Sequence, residues 1–340
     1  MRLLERSPRP TASVFHPRDR TSAVSRARKP DWLKMRPPAG REFVGIRETL
    51  REYGLHTVCE EANCPNLGEC WSGGHRPSAA DDAGGTATFM LLGDSCSRGC
   101  NFCDVETGGM EPPDPEEPVN VARAVAEIGL DYVVLTSVDR DDLPDQGAGH
   151  FAETIREIKR RHPDILVEVL IPDFQGDERL VQRIVDARPD VIAHNVETVE
   201  RLQFPVRDRR AGYEQSLGVL EYVDRHSEIY TKTSIMLGHG EYDHEVYQTL
   251  ADCRERGVDV VTLGQYLRPS RSHLPVRRYD HPQKYDTWRQ VAEEELGFLY
   301  CASGPMVRSS YRAGELFVDA LLREGKSLEQ ARAAARRASE

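Results

Sequence analysis

Six short apolar runs recur between residues 88 and 263: Thr88–Leu92, Tyr132–Thr136, Ile165–Leu170, Val191–Asn195, Ile229–Ile235 and Val258–Leu263. Each has the length of a strand and is too short for a buried helix. The stretches between them carry apolar residues at helical spacing, as in Val121, Val125, Ile128 and again in Phe151, Ile155, Ile158. Strands alternating with helices predict an α/β fold with a parallel sheet and right-handed crossovers. Near-continuously apolar strands predict a sheet covered on both faces. Two closures satisfy this pattern: an open doubly wound sheet, or a partial barrel of six β/α units. Periodicity leaves both open. In either, ligands meet the chain at the C-terminal ends of the strands.

The flanks break the alternation. Residues 1–30 hold seven arginines and Lys29 against Glu5 and Asp19, a net charge of +6. With four prolines and no apolar periodicity they are expected to form a disordered basic tail. They lack the apolar core of a secretory signal, and a transit peptide should be amphipathic. Residues 31–85 read as an N-terminal extension with three cysteines, ending in the run SGGHRPSAADDAGG at 72–85, expected to be a mobile insertion. Residues 86–280 read as the barrel. Residues 281–340 read as a C-terminal extension with a helix, a strand-like Phe298–Cys301 and a helical tail.

The chain of 340 residues has a net charge of −11, which argues against nucleic-acid binding. It has no run of 18 apolar residues, so no membrane-spanning helix is expected. Its 45 basic residues include only six lysines. An acidic, arginine-rich surface stays hydrated in concentrated salt, although GC-rich coding explains the arginine equally well.

Six of the eight cysteines fall into two triplets, Cys59, Cys64, Cys70 and Cys96, Cys100, Cys103. Three disulfides would need an oxidising compartment, which a long acidic chain without a secretory signal does not suggest; a cytoplasmic location is expected. Structural zinc wants four ligands, usually in C-x2-C pairs, and each triplet offers three thiolates. Iron–sulfur clusters suit soft thiolates. Three thiolates on a four-iron cube leave one iron open, which is useful only where something else must bind. The second triplet follows directly on the first predicted strand, in the loop Gly93–Asp104, where a barrel would place its reactive rim.

The spacing Cys96-x3-Cys100-x-Phe102-Cys103 resembles the cluster motif of the radical S-adenosylmethionine (radical SAM) enzymes. Its surroundings are more specific. CEEANCPNLGECW at 59–71, GTATFMLLGDSCSRGCNFC at 85–103, LTSVDRDDLPDQGA at 135–148, HNVETV at 194–199, GQYLRPS at 264–270, HLPV at 273–276 and SGPMVRSSY at 303–311 resemble the lipoyl synthase family, in family order. The resemblance covers about residues 40–315 and implies a radical SAM partial (β/α)6 barrel with N- and C-terminal extensions.

The resemblance further implies two 4Fe–4S clusters and S-adenosylmethionine as cofactors. Cys96, Cys100 and Cys103 match the ligands of the cluster that binds S-adenosylmethionine through its open iron, and Phe102 would wall that site. Cys59, Cys64 and Cys70 match the ligands of an auxiliary cluster whose fourth ligand is a serine of the RSSY motif. That serine is Ser310 here, or alternatively Ser309. The implied reaction inserts two sulfurs at C6 and C8 of an octanoyl chain on a lysine of a lipoyl-carrier protein, with the auxiliary cluster as sulfur source. Implied partners are octanoylated lipoyl domains of 2-oxoacid dehydrogenases and the glycine-cleavage H protein, an electron donor such as ferredoxin or flavodoxin, and an iron–sulfur carrier. No nucleic acid and no membrane are expected.

Ser137, Asn195, Glu197 and Lys232 lie at or near predicted strand ends and are expected to hold parts of the cofactor, ordinary rim hydrogen bonding being the alternative. Arg308 is expected to position the auxiliary cluster or substrate, or to form a surface ion pair. His194, Cys253 and Cys301 read as core residues. Asp139, Asp141 and Asp142 read as solvated or structural, because no phosphate-cradling glycine loop accompanies them.

Overall fold

The computed structural model describes residues 29–35, 41–71 and 88–310. The expected disordered tail, the insertion at 72–85 and the helical tail beyond residue 310 lie outside the described residues, apart from Lys29 and Pro30.

Ten strands are described: β1 (His56–Thr57), β2 (Thr88–Leu91), β3 (Ser95–Cys96), β4 (Glu106–Thr107), β5 (Tyr132–Ser137), β6 (Leu166–Leu170), β7 (Val191–Ala193), β8 (Tyr230–Leu237), β9 (Val260–Gln265) and β10 (Tyr300–Gly304). Eight form one sheet in the order β1-β2-β5-β6-β7-β8-β9-β10. From β2 to β10 every pairing is parallel. A doubly wound sheet reverses its strand order at a switch point. This sheet never reverses, so it winds in one direction, and the barrel reading is the one that holds. Its edges β1 and β10 do not pair with each other, so the barrel is partial.

Helices 117–128, 148–161, 178–186, 213–226, 243–255 and 282–290 fill the crossovers. Helix 178–186 shows how the sequence makes them. Asp177 caps it by accepting the Arg179 amide at 3.0 Å. Leu180, Val181, Ile184 and Val185 then fall on one buried face, while Arg179 lies out in solvent. Each such buried side chain contributes roughly 1.5–3 kcal/mol.

The extensions complete the sheet. The N-terminal one adds β1 antiparallel to β2, pairing His56 with Met90 and Thr57 with Phe89. The C-terminal one adds β10 parallel to β9 over residues 300–304. The parallel β10 therefore delivers the residues after Gly304 to the C-terminal rim, whereas the antiparallel β1 ends beside the start of β2, where Cys59 meets the Thr88 amide. Cys253 lies fully buried on helix 243–255 with Val246 and Leu250, and Cys301 is buried in β10, as core residues should be. His194 is buried and bonded at Nδ1 to the Ile171 carbonyl (2.8 Å) and at Nε2 to Ser216 Oγ (3.0 Å). Burial pushes its pKa down to about 4, so it is a neutral core histidine.

Candidate functional site

A cavity of about 480 Å3 opens at the C-terminal ends of the parallel strands, within the usual range for small-molecule sites. Three parts of the chain converge on it. The N-terminal extension brings Cys59 and Cys64, the loop after β2 brings Cys96, Cys100 and Cys103, and the chain after β10 brings Arg308, Ser309 and Ser310. Phe102, Ser137, Asn195 and Glu197 also line it. Cys70, on the short helix Leu67–Trp71, is half-buried against the core and outside the lining.

The cluster loop 95–104 is fixed residue by residue. Ser97 N–H donates to the Asp139 carbonyl (2.9 Å), Gly99 N–H to Asp208 Oδ2 (3.0 Å) and Asn101 N–H to the Val206 carbonyl (2.9 Å). The sulfurs accept in turn: Cys96 from the Arg98 amide at 3.4 Å, Cys100 from the Asp208 amide at 3.3 Å, and Cys103 from the Val105 amide. Amides aimed at thiolates stabilise cluster ligands and tune their potential.

At the centre of this loop Arg98 is buried between two carboxylates. It forks onto Asp141 through Nε (2.9 Å) and Nη2 (2.8 Å), and onto Asp173 through Nη1 and Nη2, both at 2.8 Å. Asp139 lies 3.6 Å away, and burial pushes its pKa up to about 6 despite the guanidinium. Asp141 is held down to about 2, against the cost of its burial, by hydrogen bonds from Arg98. Asp141 is thus structural, as expected, and Asp142 pairs with Arg140.

The auxiliary triplet is tied to the C-terminal segment through neighbours that sequence reasoning did not single out. Thr88 hydrogen-bonds twice: its hydroxyl donates to Ser310 Oγ at 2.9 Å, and its amide bonds the Cys59 thiol. Ser310 and Cys59 thus share one partner, while Ser309 and Ser310 both line the cavity. Asn66 Nδ2 donates to the Met306 carbonyl at 2.6 Å. Arg308 is half-buried, with its guanidinium close enough to Cys64 to stabilise the thiolate, and it donates to the Val307 carbonyl at 2.6 Å. Gly264 on β9 lets this segment close in, since a Cβ there would sit 2.1 Å from the Val307 carbonyl oxygen.

The donor sets fit iron–sulfur clusters. Burial pushes Cys59, Cys96 and Cys100 up to about 12 and Cys103 to about 11, so these thiols hold their protons until a metal displaces them. Among the described residues neither triplet has its three sulfurs mutually within 4.8 Å. A single tetrahedral zinc with bonds of about 2.3 Å needs sulfurs about 3.8 Å apart. Neither triplet as placed therefore matches one zinc held by all three thiolates.

The cavity wall also fits an organic cofactor. Ser137 Oγ and Asn195 Oδ1 are buried with no hydrogen-bond partner among the described residues. Buried polar atoms are rarely orphaned unless a ligand completes them. Beside them the Glu197 carboxylate accepts from Asn195 Nδ2 at 3.0 Å, and burial raises its pKa. Glu197 has φ +69°, a strained left-handed geometry held by a bridge to Ile235 on β8.

Lys232 requires correction. It is the third residue of β8, which runs on to Leu237, so it lies well before the strand's C-terminal end. Its ammonium is buried against both Glu168 oxygens (2.7 and 2.8 Å), and Glu168 also accepts from the Tyr132 hydroxyl (2.5 Å). It is outside the cavity lining. Lys232→Ala leaves Glu168 without its buried cation and is expected to cost about 3–5 kcal/mol in denaturant unfolding. S-adenosylmethionine affinity of the folded fraction should stay unchanged; a weakened affinity at unchanged stability would restore the cofactor role.

The radical SAM superfamily model matches residues 90–253, and the model of the N-terminal domain of lipoyl synthase of the radical SAM family matches residues 6–64. Lipoyl synthase of Halobacterium salinarum is 76% identical over 316 residues, covering 93% of this chain and 99% of the relative. That of Natronomonas pharaonis is 71% identical over 313 residues, covering 92% and 99%. The mitochondrial lipoyl synthase of Danio rerio is 54% identical over 306 residues, covering 89% of this chain and 75% of the relative.

Proposed function

The chain belongs to the lipoyl synthase family of the radical SAM superfamily, and on that premise we propose which of its residues perform the family's reaction. The activity is radical-mediated insertion of two sulfur atoms at C6 and C8 of an octanoyl chain attached to a lysine of a lipoyl-carrier protein. The cofactors are S-adenosylmethionine and two 4Fe–4S clusters, which supply the electron, the hydrogen-abstracting radical and the sulfur.

Cys96, Cys100 and Cys103 hold the cluster that meets S-adenosylmethionine. Three thiolates leave the fourth position for the cofactor's own chelating groups, and the amides of Arg98, Asp208 and Val105 hold the sulfurs in place. Phe102 walls the cofactor site. Ser137 and Asn195 complete its polar contacts. Glu197 offers a half-buried carboxylate to a cationic group. Cys59, Cys64, Cys70 and Ser310 hold the auxiliary cluster. A serine oxygen would be a harder, weaker partner for iron than a thiolate, so Ser310 would be the least tightly held of the four donors. Arg308 holds a positive charge beside Cys64 and balances the thiolates.

The apolar wall of Met90, Val138, Leu170 and Met236 takes the acyl chain and excludes water from a reactive intermediate. We assign as carriers the octanoylated lipoyl domains of 2-oxoacid dehydrogenases and the glycine-cleavage H protein. A ferredoxin or flavodoxin supplies electrons, and an iron–sulfur carrier rebuilds the spent cluster. The thiol-rich site suits a reducing cytoplasm. No described helix is long and apolar enough to cross a membrane.

The observation that carries this reading is that five of the six triplet thiols and Ser310 line one cavity. The test is anaerobic turnover of the reconstituted full chain with an octanoylated lipoyl domain, S-adenosylmethionine and dithionite. The carrier should gain the mass of two sulfurs and lose two hydrogens while 5′-deoxyadenosine accumulates. Deoxyadenosine release without any mass gain, on fully loaded protein, would refute it.

A further inference from the structure

We propose that the arginine-bearing loop 266–279, whose first four residues line the cavity, is the surface on which the acyl-carrier domain docks, and that it selects a carrier with an acidic face. The inference rests on the reading above and adds to it where the carrier's body sits. An acyl chain tethered to a lysine can reach a buried cavity only if the protein bearing it covers the mouth.

That loop has the opposite sign to the chain as a whole. The chain carries −11 overall, whereas YLRPSRSHLPVRRY at 266–279 holds four arginines and no carboxylate. Arg278 is used internally, pairing with Asp280 at 2.6 Å and Glu241 at 3.4 Å. Arg268, Arg271 and Arg277 are exposed, and none pairs with a carboxylate among the described residues. Arg268 lines the cavity mouth, as does exposed Lys29. Three exposed arginines without a carboxylate partner, gathered on one loop, form a patch for an external anion. Guanidinium forks suit carboxylates in particular.

The loop is also held rigid, which keeps the ordering cost of binding low. Arg268 Nε donates to the His273 carbonyl at 2.8 Å, and its Nη2 bonds the Arg271 carbonyl. The Leu274 amide donates to the Asn101 carbonyl at 3.2 Å and the Arg277 amide to the Gly238 carbonyl at 2.8 Å. His273 Nε2 lies 2.9 Å from the Cys103 carbonyl oxygen, so the docking loop is bonded directly to the cluster loop.

The test compares two substrates of the full, cluster-loaded enzyme under dithionite: an intact octanoylated lipoyl domain and a short peptide bearing octanoyl-lysine. The double variant R271E/R277E changes exposed residues outside the cavity lining. It should raise KM for the intact carrier by about tenfold or more at low salt, with kcat nearly unchanged, and leave peptide turnover as it was. The parent enzyme's carrier KM should rise with salt, and R271K/R277K should retain most of the affinity. An unchanged carrier KM in R271E/R277E would overturn the proposal while normal peptide turnover kept the assigned function standing. A defect seen only when a flavodoxin replaces dithionite would also overturn it, by assigning the patch to the electron donor. Failure of the parent enzyme on both substrates would instead remove the functional reading itself.

Discussion

Cys64→Ala is expected to abolish lipoyl product while leaving S-adenosylmethionine cleavage running. Cys64 faces the cavity beside Arg308, with Asn66 tying its loop to the Met306 carbonyl. Its loss removes one of the three soft ligands proposed for this cluster, whose proposed fourth donor is the weaker serine oxygen. Iron should fall from about eight to about four atoms per chain, because the other triplet lies on a separately braced loop. Cys100→Ala should behave differently and abolish both product and deoxyadenosine. The pair of variants separates the two clusters by readout: one stops sulfur insertion, the other stops radical formation. Lipoyl product from Cys64→Ala at parental yield would contradict the assignment of the N-terminal triplet.

The second large effect is expected at Arg98, which touches no reacting atom. Its guanidinium satisfies Asp173, of which 1% is exposed, and shares Asp141 with Arg210. Arg98→Ala leaves Asp173 buried without its counter-charge, and removing one partner of a buried pair costs about 3–5 kcal/mol. Denaturant unfolding of the metal-free chain should show that loss, and the loaded chain should yield its iron to a chelator faster. Replacing both partners, as in Arg98→Met with Asp173→Leu, should recover part of the stability, since no lone charge then remains buried. A stability change below about 1 kcal/mol in Arg98→Ala would place the pair among weak surface bridges, contrary to its burial.

The parts of this molecule that could be read from the chain are those written in local spacing. Strand-length apolar runs alternating with helical stretches specify the six β/α units to within a few residues. The spacing of Cys96, Cys100 and Cys103 specifies a three-thiolate loop, and its place after β2 specifies the rim. What escaped is long-range or conformational. Thr88 reads as an ordinary strand residue; only the folded chain brings it to both Ser310 and Cys59. The Arg98–Asp173 pair spans 75 residues with no local pattern to announce it. Glu197 owes its placement to a positive φ that no composition encodes. Lys232 falls in the apolar run Ile229–Ile235, where local spacing does not separate a strand's interior from its rim. In fact β8 continues to Leu237, and the lysine is tolerated inside because Glu168, from a strand two positions away, neutralises it. The closure of the sheet was also undecidable locally, since strand order is a property of the whole chain.

The central claim is that two cluster sites share one cavity and that the N-terminal one gives its own sulfide to the acyl chain. It is tested most directly by reconstituting the protein with isotopically heavy sulfide, removing free sulfide, and running a single turnover with unlabelled octanoylated carrier. The account predicts that both product sulfurs carry the heavy isotope, that no more than one lipoyl group forms per chain, and that Ser310→Cys, which gives the weak corner a thiolate, slows release of that sulfide. Product containing light sulfur, or several turnovers without a sulfide supply, would contradict it.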